Sequence, residues 1–166
     1  DPKNLLATAY LASLYYQMKD FTKALEWNRK VIELDPKDKA ALYTLGVIPW
    51  TQFIVPDREA RLAMKMKPED PGPLKDKKER EALKEKYWAS LTEGIEYEKK
   101  ALAIDPEYEN AMAYMNLLIR YRADLQDTKE QYQADVKEAD DWVQKTLETT
   151  KIKAERKAAN PNAKQQ

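Results

Sequence analysis

Apolar residues recur along this chain every three or four positions, in segments separated by short polar or proline-containing stretches. In the first segment Leu11, Leu14 and Tyr15 share one helical face, and the pattern returns over 21–32. This spacing predicts amphipathic α-helices whose apolar faces pack against other helices. Asn28 is the one polar residue on the apolar face of the second segment, and we interpret it as a partly exposed edge.

The predicted helices end in a phrase that repeats, reading IELDP at 32–36 and LAIDP at 102–106. Pro36 follows Pro2 by 34 residues, and Pro106 follows Pro36 by 70, which is one period of 34 plus 36. Proline ends a helix because it lacks the N–H and clashes with the preceding turn. The spacing therefore predicts a 34-residue helical repeat that is interrupted once by an insertion.

Three segments align on these prolines, at 24–36, 94–106 and 139–151. Each opens with a small residue, carries an aromatic residue at its fourth place and a lysine at its seventh. The aromatic and lysine pairs are Trp27 with Lys30, Tyr97 with Lys100, and Trp142 with Lys145.

These features resemble the tetratricopeptide-repeat (TPR) family, whose 34-residue helix-turn-helix carries W-x2-L-G-x2-Y, then A-x3-F, then P. The first repeat matches with Leu11, Ala12 and Tyr15 on one helix and Ala24 and Pro36 on the next. Thr8 replaces the family's Trp, and Asn28 replaces its second aromatic residue. The resemblance covers roughly 1–48 and 87–150.

The resemblance implies an all-α fold, a TPR-like α-α superhelix (solenoid) with an insertion in the second repeat and a long C-terminal capping helix. One repeat cannot bury its own apolar face, so the repeats must stack. We expect a single TPR domain over 1–166. Its parts are the end of a preceding repeat (1–4), repeat 1 (5–38), repeat 2 (39–108) with an insertion at about 51–86, repeat 3 with the cap (109–159), and a disordered tail (160–166).

The insertion begins beside Pro49, which interrupts a helical pattern and predicts a kink or a helix end near Ile48. Pro56, followed by acidic residues, predicts the start of a short helix over about 57–66. The remaining pattern predicts a proline-rich loop and two long helices, over about 68–73, 75–104 and 129–159.

The composition argues against several classes of function. Lys+Arg and Asp+Glu are both 29, so net charge favours neither nucleic acid nor an anionic membrane, and no apolar run is long enough for a membrane span. Cysteine and histidine are absent, which excludes the usual nucleophile–base pairs and most zinc sites. We predict no enzyme activity, no cofactor and no metal. The chain starts at Asp1 rather than Met, so we expect its native N-terminus upstream; a cytoplasmic and a periplasmic location both stay open.

In the TPR family the first helix of each repeat lines a concave groove that holds peptides or partner helices. The resemblance therefore implies ten groove residues: Leu6, Ala9, Ser13 and Tyr16 in repeat 1, Tyr43, Val47 and Trp50 in repeat 2, and Asn110, Leu117 and Arg120 in repeat 3. The Lys and Asn residues with which chaperone-adaptor members hold a C-terminal carboxylate are missing from these places. We do not expect acidic C-terminal peptides as partners.

The sequence thus predicts a protein–protein interaction scaffold that binds a peptide or a partner helix. The alternative is a self-assembly module in which apolar faces join identical copies. A further alternative concerns the groove itself, because the insertion or a neighbouring helix could cover its aromatic residues as core.

Overall fold

The computed structural model describes residues 2–67 and 69–159, with side chains from Asn4 onwards, and it contains six helices in these ranges. They are α1 (Pro2–Gln17), α2 (Phe21–Leu34), α3 (Lys39–Ala63), α4 (Lys77–Ile104), α5 (Glu109–Ala123) and α6 (Lys129–Ala159). The predicted tail, 160–166, lies outside the described residues.

The helices pair as three hairpins, α1 with α2, α3 with α4, and α5 with α6. Successive hairpins stack through contacts of α2 with α3, α4 with α5, and α3 with α5. One core runs through the second and third hairpins, and a smaller cluster around Ala12 and Val31 joins the first hairpin to Ala41 of α3. This arrangement confirms the predicted all-α, TPR-like solenoid.

The Asp-Pro turns that close the repeats share one geometry. Asp35 and Asp105 cap α2 and α4 with nearly the same backbone angles, φ −135° and ψ 92° against φ −132° and ψ 93°. Each carboxylate accepts a hydrogen bond from the backbone N–H two residues on, from Lys37 at 3.0 Å and from Glu107 at 3.1 Å. This local bond is the usual way in which Asp stabilises a tight turn.

The recurring aromatic and lysine positions also meet in space. In each second helix the lysine Nζ lies over the ring three residues earlier, a spacing that makes the two side chains neighbours on a helix. The distances to the ring centroid are 4.1 Å for Lys30 over Trp27, 5.3 Å for Lys100 over Tyr97 and 4.7 Å for Lys145 over Trp142.

The structure contradicts one prediction about the insertion and one of the two alternatives at Pro49. Helix α3 continues through both Pro49 and Pro56 to Ala63, so 57–66 is not a separate short helix and the helix does not end near Ile48. An interior proline costs a helix about 3 kcal/mol. Packing of the extended helix against α4 offsets that cost, since Phe53 and Ala60 are buried in the main core.

Residues 51–86 therefore lengthen a hairpin and add to its core. The end of α3, the connecting segment and the start of α4 supply Phe53, Met66, Leu74 and Leu83 to the main core. The backbone N–H of Leu74 donates to the carbonyl of Asp124 at 3.0 Å, which ties the connection to the end of α5. The long helices predicted over about 75–104 and 129–159 are confirmed as α4 and α6.

Candidate protein-binding groove

Aromatic rings from α3 and α5 alternate along the line where these two helices meet. Tyr43 and Trp50 come from α3, and Tyr114 and Tyr121 come from α5; we call these four residues the aromatic ladder. Their centroids are separated by 5.3 Å (Tyr43–Tyr114), 5.5 Å (Trp50–Tyr114) and 5.9 Å (Trp50–Tyr121), all edge to face. Such pairs contribute about 0.5–1.5 kcal/mol each beyond the area that they bury.

The positions of the four rings follow from their spacing in the sequence. Trp50 lies seven residues after Tyr43, and Tyr121 lies seven after Tyr114, so each pair occupies one face of its helix, two turns apart. All four side chains are half-buried, which leaves part of each ring open to solvent.

The tyrosines at the first rungs of the ladder are neutral. Burial raises the pKa of Tyr43 far above its ordinary value because the phenolate would lose its hydration, and Tyr114 and Glu98 nearby add to the effect. Burial likewise raises the pKa of Tyr114, with a further contribution from Tyr16 of α1. Tyr16 of α1 is thus close enough to this end of the ladder to influence the pKa of Tyr114.

Two buried polar groups adjoin the ladder without a hydrogen-bond partner among the described residues. One is the indole N–H of Trp50, and the other is the carboxyl group of Glu98, which is 0% exposed. Burial raises the pKa of Glu98 to about 9, so this group keeps its proton at neutral pH. It packs against Gly46, where an added Cβ would lie 2.6 Å from Glu98 Cδ.

The ten predicted groove residues divide by exposure. Three are exposed, six are half-buried and one is buried. The exposed ones are Leu6, Ser13 and Asn110; the half-buried ones are Ala9, Tyr16, Tyr43, Trp50, Leu117 and Arg120; the buried one is Val47.

Two of these residues have surroundings that limit what they could offer a partner. Val47 lies in the core and offers no side-chain surface to a partner, because α3 packs closely against its neighbours at this turn. Arg120, predicted as the cation of the groove, donates to Asn116 Oδ1 at 3.1 Å and to Asp140 Oδ1 of α6 at 2.5 Å. Its charge is matched within the protein.

Tyr114 and Tyr121 were not among the predicted groove residues, because neither stands at a family groove position. Each comes one residue after such a position, Ala113 and Arg120 respectively. The signal that could have found them is their seven-residue spacing, which repeats that of Tyr43 and Trp50. Asn28 also differs from expectation: it is buried, and its side-chain amide donates to the carbonyl of Ala24 at 2.8 Å. Pairing with its own helix removes the need for an exposed edge.

Comparison with known families matches residues 11–38 to the tetratricopeptide repeat. Comparison with curated proteins finds no match. Within 2–67 and 69–159, no helix has the length and apolar character to cross a bilayer. Tetratricopeptide repeats generally mediate protein–protein interaction, and their family is typically a non-enzymatic scaffold. Residues 11–38 thus match one tetratricopeptide repeat, and the stacked helical hairpins around them form a TPR-like α-solenoid.

Proposed function

We propose that this protein is an interaction scaffold that binds a peptide or a partner helix along α1, α3 and α5, with the aromatic ladder as the main contact surface. The observation that carries the proposal is the ladder itself. Four half-buried rings in a row form a surface that is already ordered before a partner arrives.

Ordered aromatic side chains favour binding for two reasons. They bury a large apolar area, and they lose little rotational freedom because neighbouring rings already hold them. The contact that Trp50 offers a partner is apolar, because its indole N–H is buried.

The test uses a peptide selected from a displayed random-sequence library against the immobilised protein. Its dissociation constant is measured by fluorescence anisotropy for the wild type, Trp50→Ala and Tyr114→Ala. Loss of a central aromatic contact costs at least about 2 kcal/mol in many interfaces, so we expect about 30-fold weaker binding in both variants.

Leu147→Ala is the matched control, because Leu147 is 60% exposed and lies on α6, outside the helices of the proposed groove. Its affinity should stay within about twofold of the wild type. Thermal unfolding of each variant shows whether the fold survives. Selected peptides that bind Trp50→Ala and Tyr114→Ala as tightly as the wild type would contradict the proposal.

A second candidate function, self-assembly, has its own observation. Leu6 and Tyr10 lie one turn apart on α1 and are 72% and 69% exposed. A pair of large apolar side chains on a helix surface is a possible contact between identical copies. Sedimentation across a range of concentrations tests it: a dimer that dissociates in Tyr10→Glu supports self-assembly, and a monomer at every concentration rejects it.

A further inference from the structure

A cavity of about 690 Å³ lies where the extended end of α3 meets the end of α5 and the start of α6. Tyr121 lines it as well as closing the aromatic ladder, so the cavity continues from the proposed groove. Leu62, Met66 and Tyr132 provide apolar wall, and Asp57 and Asp124 provide carboxyl groups.

The two carboxyl groups have unequal partners. Asp124 accepts two hydrogen bonds from Arg61 Nη1, at 3.1 Å and 3.0 Å. The same guanidinium uses Nη2 to donate to the carbonyl of Asp70 at 2.6 Å. Asp57 is only 2% exposed, and its Oδ1 has no hydrogen-bond partner within the described ranges. A residue that lines the cavity therefore has one buried carboxyl oxygen without a donor.

The charge balance around Asp57 also indicates a missing partner. Burial raises the pKa of Asp57 to about 8, and the neighbouring carboxylate of Asp124 raises it further, against Arg61 and Arg58. At neutral pH Asp57 therefore keeps a proton and shares it with Asp124. If Asp57 and Asp124 were both ionised, the guanidinium of Arg61 would balance only one of the two negative charges. The proton on Asp57 removes the other.

The other charged groups around the cavity do not fill this place. Arg120 is held by Asp140 of α6 at 2.5 Å, and Arg58 is exposed at the rim. Asp70 Oδ2 accepts from the backbone N–H of Lys67 at 2.9 Å, and Glu69 is exposed. Within the described residues, no group of three acidic side chains is arranged to hold a metal ion, so an organic cation fits the site better.

We propose that this cavity binds the guanidinium or ammonium end of a lysine or arginine side chain of the partner, with Asp57 as its anion. The inference rests on the proposed function, since the partner lies along the ladder. On binding, Asp57 releases its proton to solvent, a ligand N–H donates to Oδ1, and Asp124 stays paired with Arg61. The apolar walls hold the aliphatic stem.

The test needs no partner, because n-butylguanidinium presents the same chemistry. Amide chemical shifts followed by NMR should report saturable binding, with the largest changes at Asp57, Tyr121 and Asp124. Because binding displaces a proton, affinity should rise about tenfold per pH unit up to about pH 8 and then level off. Asp57→Asn should bind at least tenfold more weakly at pH 9 and lose the pH dependence.

Asp141→Asn is the matched control, since Asp141 is an exposed aspartate on α6, outside the cavity, whose carboxylate accepts a hydrogen bond from Lys137. It should bind within twofold of the wild type. Binding that strengthens as the pH falls, equal binding by Asp57→Asn, or preferential binding of inorganic phosphate would each overturn the inference. If the probe binds while ladder variants leave peptide affinity unchanged, the proposed function fails and the cation site stands; the reverse result removes the cation site alone.

Discussion

The first and second hairpins follow the same repeat and differ in what they bury. Both close with the same Asp-Pro turn and carry the same lysine over an aromatic ring. Yet all six buried side-chain atoms that lack a hydrogen-bond partner in the described residues belong to α3 and α4. They are Trp50 Nε1, Asp57 Oδ1, Arg80 Nε, Thr92 Oγ1 and both carboxyl oxygens of Glu98.

Asn28 and Glu98 make the contrast sharp, because they occupy the same place in the repeat. Asn28 satisfies its amide within its own helix, whereas Glu98 has no partner among the described residues. Natural proteins leave few buried polar groups unpaired, and those that remain often mark functional sites. We infer that the first hairpin is built for stability and that the second gives up stability for a binding surface.

Among the substitutions, the largest expected loss of stability comes from the ion pair at the extended end of the second hairpin. Arg61 and Asp124 have side chains that are each 11% exposed, so Arg61→Met leaves a buried carboxylate without its cation. We expect the free energy of unfolding to fall by about 3–5 kcal/mol, measured by urea denaturation.

The matching pair between the two hairpins, Arg29 with Glu93, has side chains 43% and 45% exposed. Because solvent screens it, Arg29→Met should cost less than about 1 kcal/mol. Equal losses in the two variants would show that burial does not distinguish the two regions.

The next effect is steric. Gly46 and Ala12 hold the same repeat position, but only Gly46 faces a buried carboxyl group. Gly46→Ala should lower the free energy of unfolding by about 1–3 kcal/mol, because Glu98 has no open space into which to shift. Urea denaturation measures the loss. In a Glu98→Ala background, Gly46→Ala should lower the free energy of unfolding by less. A double-mutant cycle that shows no coupling between the two positions would contradict this packing.

The third effect depends on pH. The pKa of Glu98 is about 9 in the folded chain, above its ordinary value of 4.5, so the unfolded chain loses this proton first as the pH rises. Stability is full below about pH 4.5 and falls by up to about 1.4 kcal/mol per pH unit towards pH 9. Denaturation of the wild type and Glu98→Gln at several pH values tests this, since the variant lacks the contribution of Glu98.

Asp57 contributes a slope of the same sign, because burial also raises its pKa, and Asp57→Asn separates the two contributions. Asn28→Asp offers the reverse experiment. It should bring a similar slope into the first hairpin, and a flat profile in that variant would limit the effect to the surroundings of Glu98.

The smallest effect tests what the hairpins share. Lys30→Ala and Lys100→Ala each remove a cation over an aromatic ring, at 4.1 Å from Trp27 and 5.3 Å from Tyr97. We expect losses of about 0.5–1 kcal/mol in thermal unfolding, somewhat larger for Lys30. A loss only in one hairpin would mean that the repeated pair stabilises one of them alone.

Local pattern predicts much of this fold. The proline spacing identifies the repeat, and the long apolar faces place α4 and α6 within a few residues of their observed ends. Pro49 shows where local pattern fails. The helix-breaking rule for proline predicts a kink or a helix end near Ile48. The helix continues because its far end packs into a core that the rule does not include.

The candidate sites likewise contain some residues that the sequence predicts and others that only the folded structure brings together. Tyr43 and Trp50 could be predicted because repeat register places them, but their partners on α5 required knowledge of how two helices meet. Asp57 and Asp124 are 67 residues apart in the chain. Only the folded connection between α3 and α4 shows that they share a cavity, so no sequence pattern predicts it.

The lengthened hairpin has a consequence for engineering. At 1.5 Å per residue, α3 with 25 residues is about 38 Å long and α1 with 16 residues is about 24 Å. The added length leaves the Asp-Pro joints unchanged. We therefore expect that a paired extension of this kind can be moved to another repeat array, so that the pocket and the number of repeats are chosen separately.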